Sequence, residues 1–347
     1  MSIKKITDKV FCITTRLQKP NLRFEGIWAV PTGVTINSYV IRGEKNALID
    51  ATIGDDDAGA AYLNDLASIG LKLSDIDVLV LNHLEPDHSG FIQRIKAENP
   101  AIQIYTTAKG VAFVKNFFKI AENLHAVADN ETVSLGTSGT LQFFETPNIH
   151  WPETMMTYYT QEKILFPCDC FGGYGDVSSK ILDSENSEAE LEAYKAEVIR
   201  YYANIMASFN SFVIKAIDKI PADTKVICPS HGIIWCEKKP QIIELYKKLA
   251  GYGSTFAEAA WAYGVDPRLS PAISAVESTK GRYNFLPYNA WGWGSVSWSS
   301  WEEAIWDHTA GLAAGYGGRL SVAGAARYNP ANPSGWYSAV LTQMEYI

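Results

Sequence analysis

Histidine is scarce in this chain of 347 residues, with six in all, so any clustering of them carries information. Cysteine is scarce as well: the five residues are odd in number and all precede position 240, which argues against a disulfide framework. No run of eighteen apolar residues occurs, which excludes an ordinary membrane-spanning helix. The opening stretch Met1 to Lys9 lacks the apolar segment of a secretory signal, so the chain is expected in the cytoplasm. Positive charge is in deficit, 30 Lys and Arg against 38 Asp and Glu. The resulting net charge of −8 disfavours nonspecific attraction to nucleic acid or to an anionic membrane. What remains, 47% hydrophobic residues with charge evenly spread, describes a globular protein long enough for two domains.

Against that scarcity, the stretch His83-Leu84-Glu85-Pro86-Asp87-His88 puts four potential metal ligands inside six residues, directly after the apolar run Asp77 to Leu81. A buried strand ending in such a loop delivers side chains to a sheet edge. Imidazoles mixed with as many carboxylates lean towards iron or manganese over a thiolate-type zinc site. One loop cannot complete two coordination shells, and further candidates stand at the ends of other strand-like runs: His150, Asp169 and His231. Four of the six histidines thus fall in one pattern. The other two, His125 and His308, read as ordinary polar residues. Cys168 and Cys170 flank Asp169 but point to the opposite side of an extended segment, and packing accounts for them.

The pattern His-x-Glu-x-Asp-His, then His after 61 intervening residues, Asp after 18 more and His after 61 more, resembles the metallo-β-lactamase-like core of flavodiiron proteins. Asn37-Ser38-Tyr39, Leu48-Ile49-Asp50 and Ile227 to Gly232 extend that resemblance over residues 1–250. It implies an αββα sandwich in which His83, Glu85 and His150 hold one iron, Asp87, His88 and His231 the second, and Asp169 bridges them. Hydrolytic relatives of the fold usually carry a zinc-binding histidine at the position of Glu85, so a carboxylate there points to a redox di-iron centre. The implied activity is reduction of O2 to water or of NO to N2O, with electrons from an external flavoprotein or rubredoxin-like donor and a head-to-tail homodimer as the usual assembly. A dinuclear metallo-hydrolase using the same ligands is the alternative.

Strand and helix signals alternate through this region. Val10 to Thr14, Ile36 to Ile41, Asn46 to Asp50, Ile102 to Thr106, Thr140 to Thr146, Lys163 to Pro167 and Lys225 to Pro229 read as strands. Asp57 to Ile69, Gly90 to Glu98, Thr107 to Phe118, the long stretch Glu185 to Ile220 and a closing Gln241 to Leu249 read as helices. The whole is an α/β fold with its site along one sheet edge.

Beyond residue 250 the composition shifts. Twenty lysines and five arginines precede that point, one lysine and four arginines follow it, and seven of the ten tryptophans lie in the last 97 residues. A second, smaller domain is therefore expected over 251–347, starting at the glycine-containing turn Gly251-Tyr252-Gly253-Ser254. Flavodiiron proteins usually continue into a flavodoxin-like domain, and Tyr252-Gly253-Ser254-Thr255 is similar to the start of a flavin phosphate loop. The preceding Glu244 to Ala250 reads as helix where such a loop needs a strand, so FMN is not expected to bind within this chain. Phe256 to Tyr263, Pro267 to Ser278, Trp301 to Tyr316 and Ser334 to Tyr346 instead carry helical spacing. Ser270 to Ser278 resembles the Glu-Ser helix of goose-type lysozymes and lytic transglycosylases, and Ala326-Arg327-Tyr328-Asn329 is similar to their Ala-Tyr-Asn element. That resemblance implies a lysozyme-like domain acting on peptidoglycan, with Glu277 as a general acid whose pKa is raised by the flanking Ile273 and Val276.

Overall fold

Period-two alternation in the early strands sets the layers of the molecule. The computed structural model describes residues 2–281, 283–284 and 286–346. It opens with β1 (Ser2–Lys5), β2 (Val10–Leu17), a small hairpin of β3 (Arg23–Phe24) and β4 (Trp28–Ala29), then β5 (Val34–Ile41) and β6 (Ala47–Ile49). Next come α1 (Asp56–Ser68), β7 (Val78–Val80), α2 (Pro86–Ser89), α3 (Ile92–Glu98), β8 (Gln103–Thr107), α4 (Ala108–Phe113) and β9 (Leu124–Val127). A second group holds β10 (Thr132–Ser134), β11 (Thr140–Glu145), β12 (Met155–Tyr159), β13 (Ile164–Phe166), α5 (Glu188–Tyr201), α6 (Asn210–Asp218) and β14 (Val226–Ile227).

Seven strands form one sheet in the order β1-β2-β5-β6-β7-β8-β9, antiparallel from β1 to β6 and parallel from β6 to β9. Five form the other, β10-β11-β12-β13-β14, with only β13 and β14 parallel. Between the sheets lie Tyr39, Ile41, Ile49, Val78 and Val80 of the first against Leu141, Phe143, Met155, Tyr159 and Phe166 of the second. Their alternates Val40, Leu48, Leu79 and Ile104 face outward onto Tyr62 and Leu66 of α1 and Ile92 and Ile95 of α3. Burying a side chain of this size contributes roughly 1.5–3 kcal/mol, which fixes the register because a one-residue slip would exchange the two cores. Outward residues of the second sheet, Phe144, Met156, Tyr158, Leu165 and Ile227, are also buried.

Two compact units divide the chain, residues 1–247 and 248–347, and the division falls inside one helix, α7 (Lys239–Tyr263). The glycine-containing stretch at 251–254, read from sequence as a turn, is helical. Two glycines in a helix interior cost about 1 kcal/mol each, and the strong formers on either side, Leu245 to Ala250 and Phe256 to Ala260, outweigh that. The long stretch Glu185 to Ile220 is not one helix: α5 and α6 are separated by a wide turn at Tyr202–Met206 and a 3-10 turn at Ala207–Phe209. There the Tyr202 hydroxyl donates to the Asn210 side chain, in a segment of poor helix formers. Strands β9, β10 and β12 carried no signal that the sequence reading used.

The second unit holds α8 (Leu269–Ser278), α9 (Trp301–Tyr316), α10 (Val322–Tyr328) and α11 (Pro333–Glu345). Ser300, Ser321 and Asn332 cap the last three through side-chain acceptors. Its core gathers Leu269, Ile273, Trp291, Ile305, Leu312, Trp336 and Val340. Among the described residues no helix is long and apolar enough to cross a membrane.

Candidate metal centre

The ligand-bearing loop is held at both ends before any ligand is considered. Asp50, buried at the end of β6, accepts from Asn82 N at 2.7 Å and from Asn82 Nδ2 at 3.1 Å, and the Thr157 hydroxyl donates to Asn82 Oδ1 at 2.6 Å. Pro86 then starts α2, its missing N–H falling where a helix has no use for one. The Ser89 hydroxyl donates to the carbonyls of Leu84 and Glu85, both at 2.9 Å, closing the loop. A side chain at Gly90 is impossible, since its Cβ would lie 2.5 Å from Gly54 N. His150 comes from the loop between β11 and β12, Asp169 follows β13, and His231 follows β14. Gly232 has φ +73°, and a Cβ there would collide with the Tyr194 hydroxyl, so only glycine lets the chain turn away behind His231.

All seven candidate residues of the first unit converge. Donor atoms of His83, Glu85, His150 and Asp169 lie within 4.8 Å of one another, as do those of Asp87, His88 and His231. In the first group Glu85 Oε2 is 3.3 Å from His83 Nε2 and 3.0 Å from His150 Nε2. In the second, Asp87 lies 3.4 Å from His88 Nε2 and 3.3 Å from His231 Nε2. Asp169 divides its two oxygens between them: Oδ2 is 3.5 Å from His83 Nε2 and 3.3 Å from His150 Nε2, while Oδ1 is 3.0 Å from His88 Nε2 and 3.2 Å from His231 Nε2. Metal bonds of about 2.1 Å at angles of roughly 90–110° span polyhedron edges of about 3.0–3.4 Å, the same spacing. Among the described residues the buried oxygens Asp87 Oδ1, Asp87 Oδ2 and Asp169 Oδ2 have no hydrogen-bond partner, an expensive arrangement unless a cation takes the place of one. The donor set therefore fits a dinuclear metal site.

Neighbours orient the imidazoles. Glu153 Oε1 lies 2.9 Å from His83 Nδ1 and also accepts from Leu84 N at 3.0 Å. The carbonyl of Thr35 lies 2.9 Å from His231 Nδ1. Each acceptor holds the proton on Nδ1 and leaves the Nε2 lone pair facing the cluster. Without metal the groups compensate one another by protonation. Burial opposes charging His150 and His231, but contacts with Asp169, joined by Glu85 and Asp87 respectively, outweigh it and raise them to about 9 and about 10. His83 and His88 are also raised. Burial likewise opposes ionising Glu85, but hydrogen bonds from His150 and His83 bring it down to about 2, and the surrounding histidines take Asp169 well below the carboxylate range.

Several residues beside the cluster escaped the sequence reading. Glu153 had a usable signal, standing three residues after His150 in the same loop. Glu25, on the β3–β4 hairpin, places Oε1 3.9 Å from His150 Nε2 and gave none. Nor did Tyr201, fully buried 5.6 Å ring to ring from His231, whose hydroxyl makes no hydrogen bond among the described residues. An apolar cleft of about 460 Å³, lined by Leu17, Leu22, Phe24, Val34 and Ile53, has Glu85 and Asp87 in its wall.

The two residual histidines behave as ordinary polar groups: His125 stacks on Tyr105 and lies 2.8 Å from Gln103 Oε1, and His308 is buried in the second unit. Glu277 belongs to the second unit and takes no part in the cluster. It stands exposed at the end of α8, while Ile273 belongs to the core of that unit.

Fold and site together define a metallo-β-lactamase-like protein with two adjoining groups of histidines and carboxylates, candidates for metal binding, at the sheet edge. The chain belongs to the ODP family beta lactamases, whose family model matches residues 34–232. It is 36% identical over 224 residues to the anaerobic nitric oxide reductase flavorubredoxin of Citrobacter koseri, covering 63% of this chain and 45% of that protein. A variant of the flavo di-iron protein from Thermotoga maritima superposes with a TM-score of 0.66 at 27% identity, over 72% of this chain and 62% of its own. Rubredoxin oxygen:oxidoreductase from Desulfovibrio gigas does so with a TM-score of 0.66 at 25% identity, over 76% and 70%. The chain spans about half the length of the curated relatives it matches.

Proposed function

We propose that the first unit is a di-iron oxidoreductase core that reduces O2 to water, NO to N2O, or both. His83, Glu85 and His150 would hold one iron, Asp87, His88 and His231 the other, with Asp169 between them. The observation that carries this reading is the division of the two Asp169 oxygens between the two groups. The iron pair, when bound, supplies the redox equivalents, which redox-silent zinc cannot.

Around it the chain's own residues set the conditions. Three carboxylates offset the charge of two cations in a buried site. Glu153 and the Thr35 carbonyl keep the imidazoles in the tautomer that presents Nε2. The Tyr201 hydroxyl, buried beside His231 and without a hydrogen-bond partner among the described residues, would be a donor at the edge of the site. The apolar cleft admits a small uncharged molecule and limits water. Electrons come from outside the chain, from a flavoprotein or rubredoxin-type donor, and a head-to-tail homodimer is the proposed assembly. The names of the relatives, a nitric oxide reductase and an oxygen:oxidoreductase, favour this over the metallo-hydrolase, as does a carboxylate at position 85.

Metal analysis of the purified protein, with anaerobic reduction and stopped-flow mixing with O2 and NO, tests the proposal. Two irons per chain and rapid reoxidation are expected; two zincs with no redox response would overturn it.

For the second unit we propose a lysozyme-like, carbohydrate-binding role centred on Glu277. Trp336 Nε1 donates to Glu277 Oε1 at 2.6 Å, Tyr328 stacks on Trp336 at 4.6 Å, and Gly292 leaves room beside Glu277 Oε2. Glu277→Gln should abolish release of peptidoglycan fragments; unchanged release removes Glu277 from the mechanism.

A further inference from the structure

Position 25 carries a residue that its backbone does not favour. Glu25 and Gly26 form the tip of the β3–β4 hairpin, where Ile27 N donates to the Phe24 carbonyl at 3.0 Å and both tip residues are left-handed, at φ +50° and +72°. Glycine, asparagine and aspartate suit such a tip, so local conformation does not account for a glutamate. Its side chain does. Oε1 lies 3.9 Å from His150 Nε2, Trp28 Nε1 donates to Oε2 at 3.3 Å, and only 23% of the side chain is exposed. The hairpin is itself pinned over the site by Phe24, buried and edge-on to His231 at 5.2 Å between ring centroids.

Glu25 also stands in the wall of the apolar cleft, whose charged residues are Arg23, Glu25, Glu85 and Asp87. Glu85 and Asp87 belong to the candidate metal centre, and the Arg23 guanidinium donates to the Ile27 carbonyl at 2.8 Å. The Glu25 carboxylate is left as a negative charge in the cleft outside the two ligand groups. In the oxidised, iron-loaded site, the charge of two ferric ions exceeds that of the three ligand carboxylates, so the cleft draws small anions inward. An anion that took an open iron position would block it. A fixed negative charge a few ångströms from a ligand atom opposes that in a partly buried site, whereas a neutral diatomic molecule feels almost nothing.

We propose that Glu25 sets the ligand selectivity of the centre: its carboxylate repels small inorganic anions from the irons while uncharged O2 and NO pass. This rests on the di-iron reading above. The left-handed turn and the Trp28 indole hold the charge in place, and the apolar remainder of the cleft gives an anion nothing in exchange for its lost water.

The experiment titrates the diferric, iron-loaded chain with azide, followed by the charge-transfer absorption of the bound anion, and the diferrous chain with NO as the uncharged probe. Glu25→Gln, which keeps the shape and removes the charge, should bind azide about tenfold or more tighter with the same iron content and the same affinity for NO. Glu25→Asp, which keeps the charge, should stay near wild type. Equal azide affinities for wild type and Glu25→Gln overturn the proposal, as does a parallel gain for azide and NO, which would mark Glu25 as a steric obstacle only. If the chain retains no iron, the di-iron reading fails by itself. Azide titration of the cobalt-loaded proteins still tests the charge in the cleft, and equal affinities there overturn it. A chain that retains neither metal overturns both.

Discussion

Two sets of fully buried histidine rings can be compared within this chain. In the first unit His83, His88 and His231 turn Nε2 towards carboxylates, and several buried oxygens around them lack partners. In the second, His308 is equally buried, yet both ring nitrogens are served: Nδ1 lies 2.9 Å from the Ser270 hydroxyl and Nε2 lies 3.3 Å from the Tyr328 hydroxyl. That hydroxyl donates to the Trp291 carbonyl at 2.7 Å, so its oxygen accepts from Nε2–H and the Ser270 hydroxyl donates to Nδ1. The ring lies flat on Trp291 at 4.6 Å. Burial alone therefore does not make a metal site. What distinguishes the first cluster is that four imidazoles and three carboxylates bring their ligand atoms together in two adjoining groups, where His308 meets only hydroxyls.

The sharpest way to break this comparison is to remove the carboxylate that both groups share. Asp169→Asn should strip nearly all bound iron, because each half of the site loses a charged donor; metal analysis after desalting reads the result, and full retention would mean that Asp169 does not bridge. His308→Ala should leave the iron content untouched and destabilise the second unit by about 3 kcal/mol, since it opens a cavity beside Trp291 and strands two hydroxyls, as denaturant titration would show. Glu153→Gln should weaken iron binding about 10- to 100-fold without changing the stoichiometry at saturation, measured by competition with a chelator.

Acidity separates the two units in sign. In the metal-free protein the carboxylates beside His150 and His231 push them up to about 9 and about 10, above the unfolded value of about 6.5. Their contribution to stability is complete below that value and is lost as pH rises through 9 to 10. His308 is pushed well below its ordinary value by burial, so its contribution is present above about 6.5 and is lost as pH falls. Unfolding of the metal-free chain followed separately in each unit should show the first weakening in alkali and the second in mild acid. Iron binding must displace the protons from the raised histidines, so affinity should rise with pH.

Much of the site could be read before the fold because its chemistry is concentrated: His83 to His88 is a short loop after an apolar strand, and His150, Asp169 and His231 each follow one. The spacing resolved the cluster even though strands β9, β10 and β12 went unrecognised. Glu153 was within reach as a carboxylate in the His150 loop. Tyr201 was not, because it reaches the cluster from the middle of an ordinary amphipathic stretch, through the packing of α5 against strand ends far away in sequence. The course of α7 through Gly251 and Gly253 is hidden for a different reason: two glycines give a local turn signal that the helix formers on both sides outweigh. For Glu277, the flanking Ile273 and Val276 suggest a buried carboxyl, but the side chain lies at the last turn of α8, exposed and holding the Trp336 indole N–H.

Mössbauer spectroscopy of the iron-reconstituted chain tests the central claim most directly. Two ferric ions per chain, exchange-coupled as neighbours in one site and silent in electron paramagnetic resonance, are the predicted result. A single iron, or two magnetically independent ones, would contradict it.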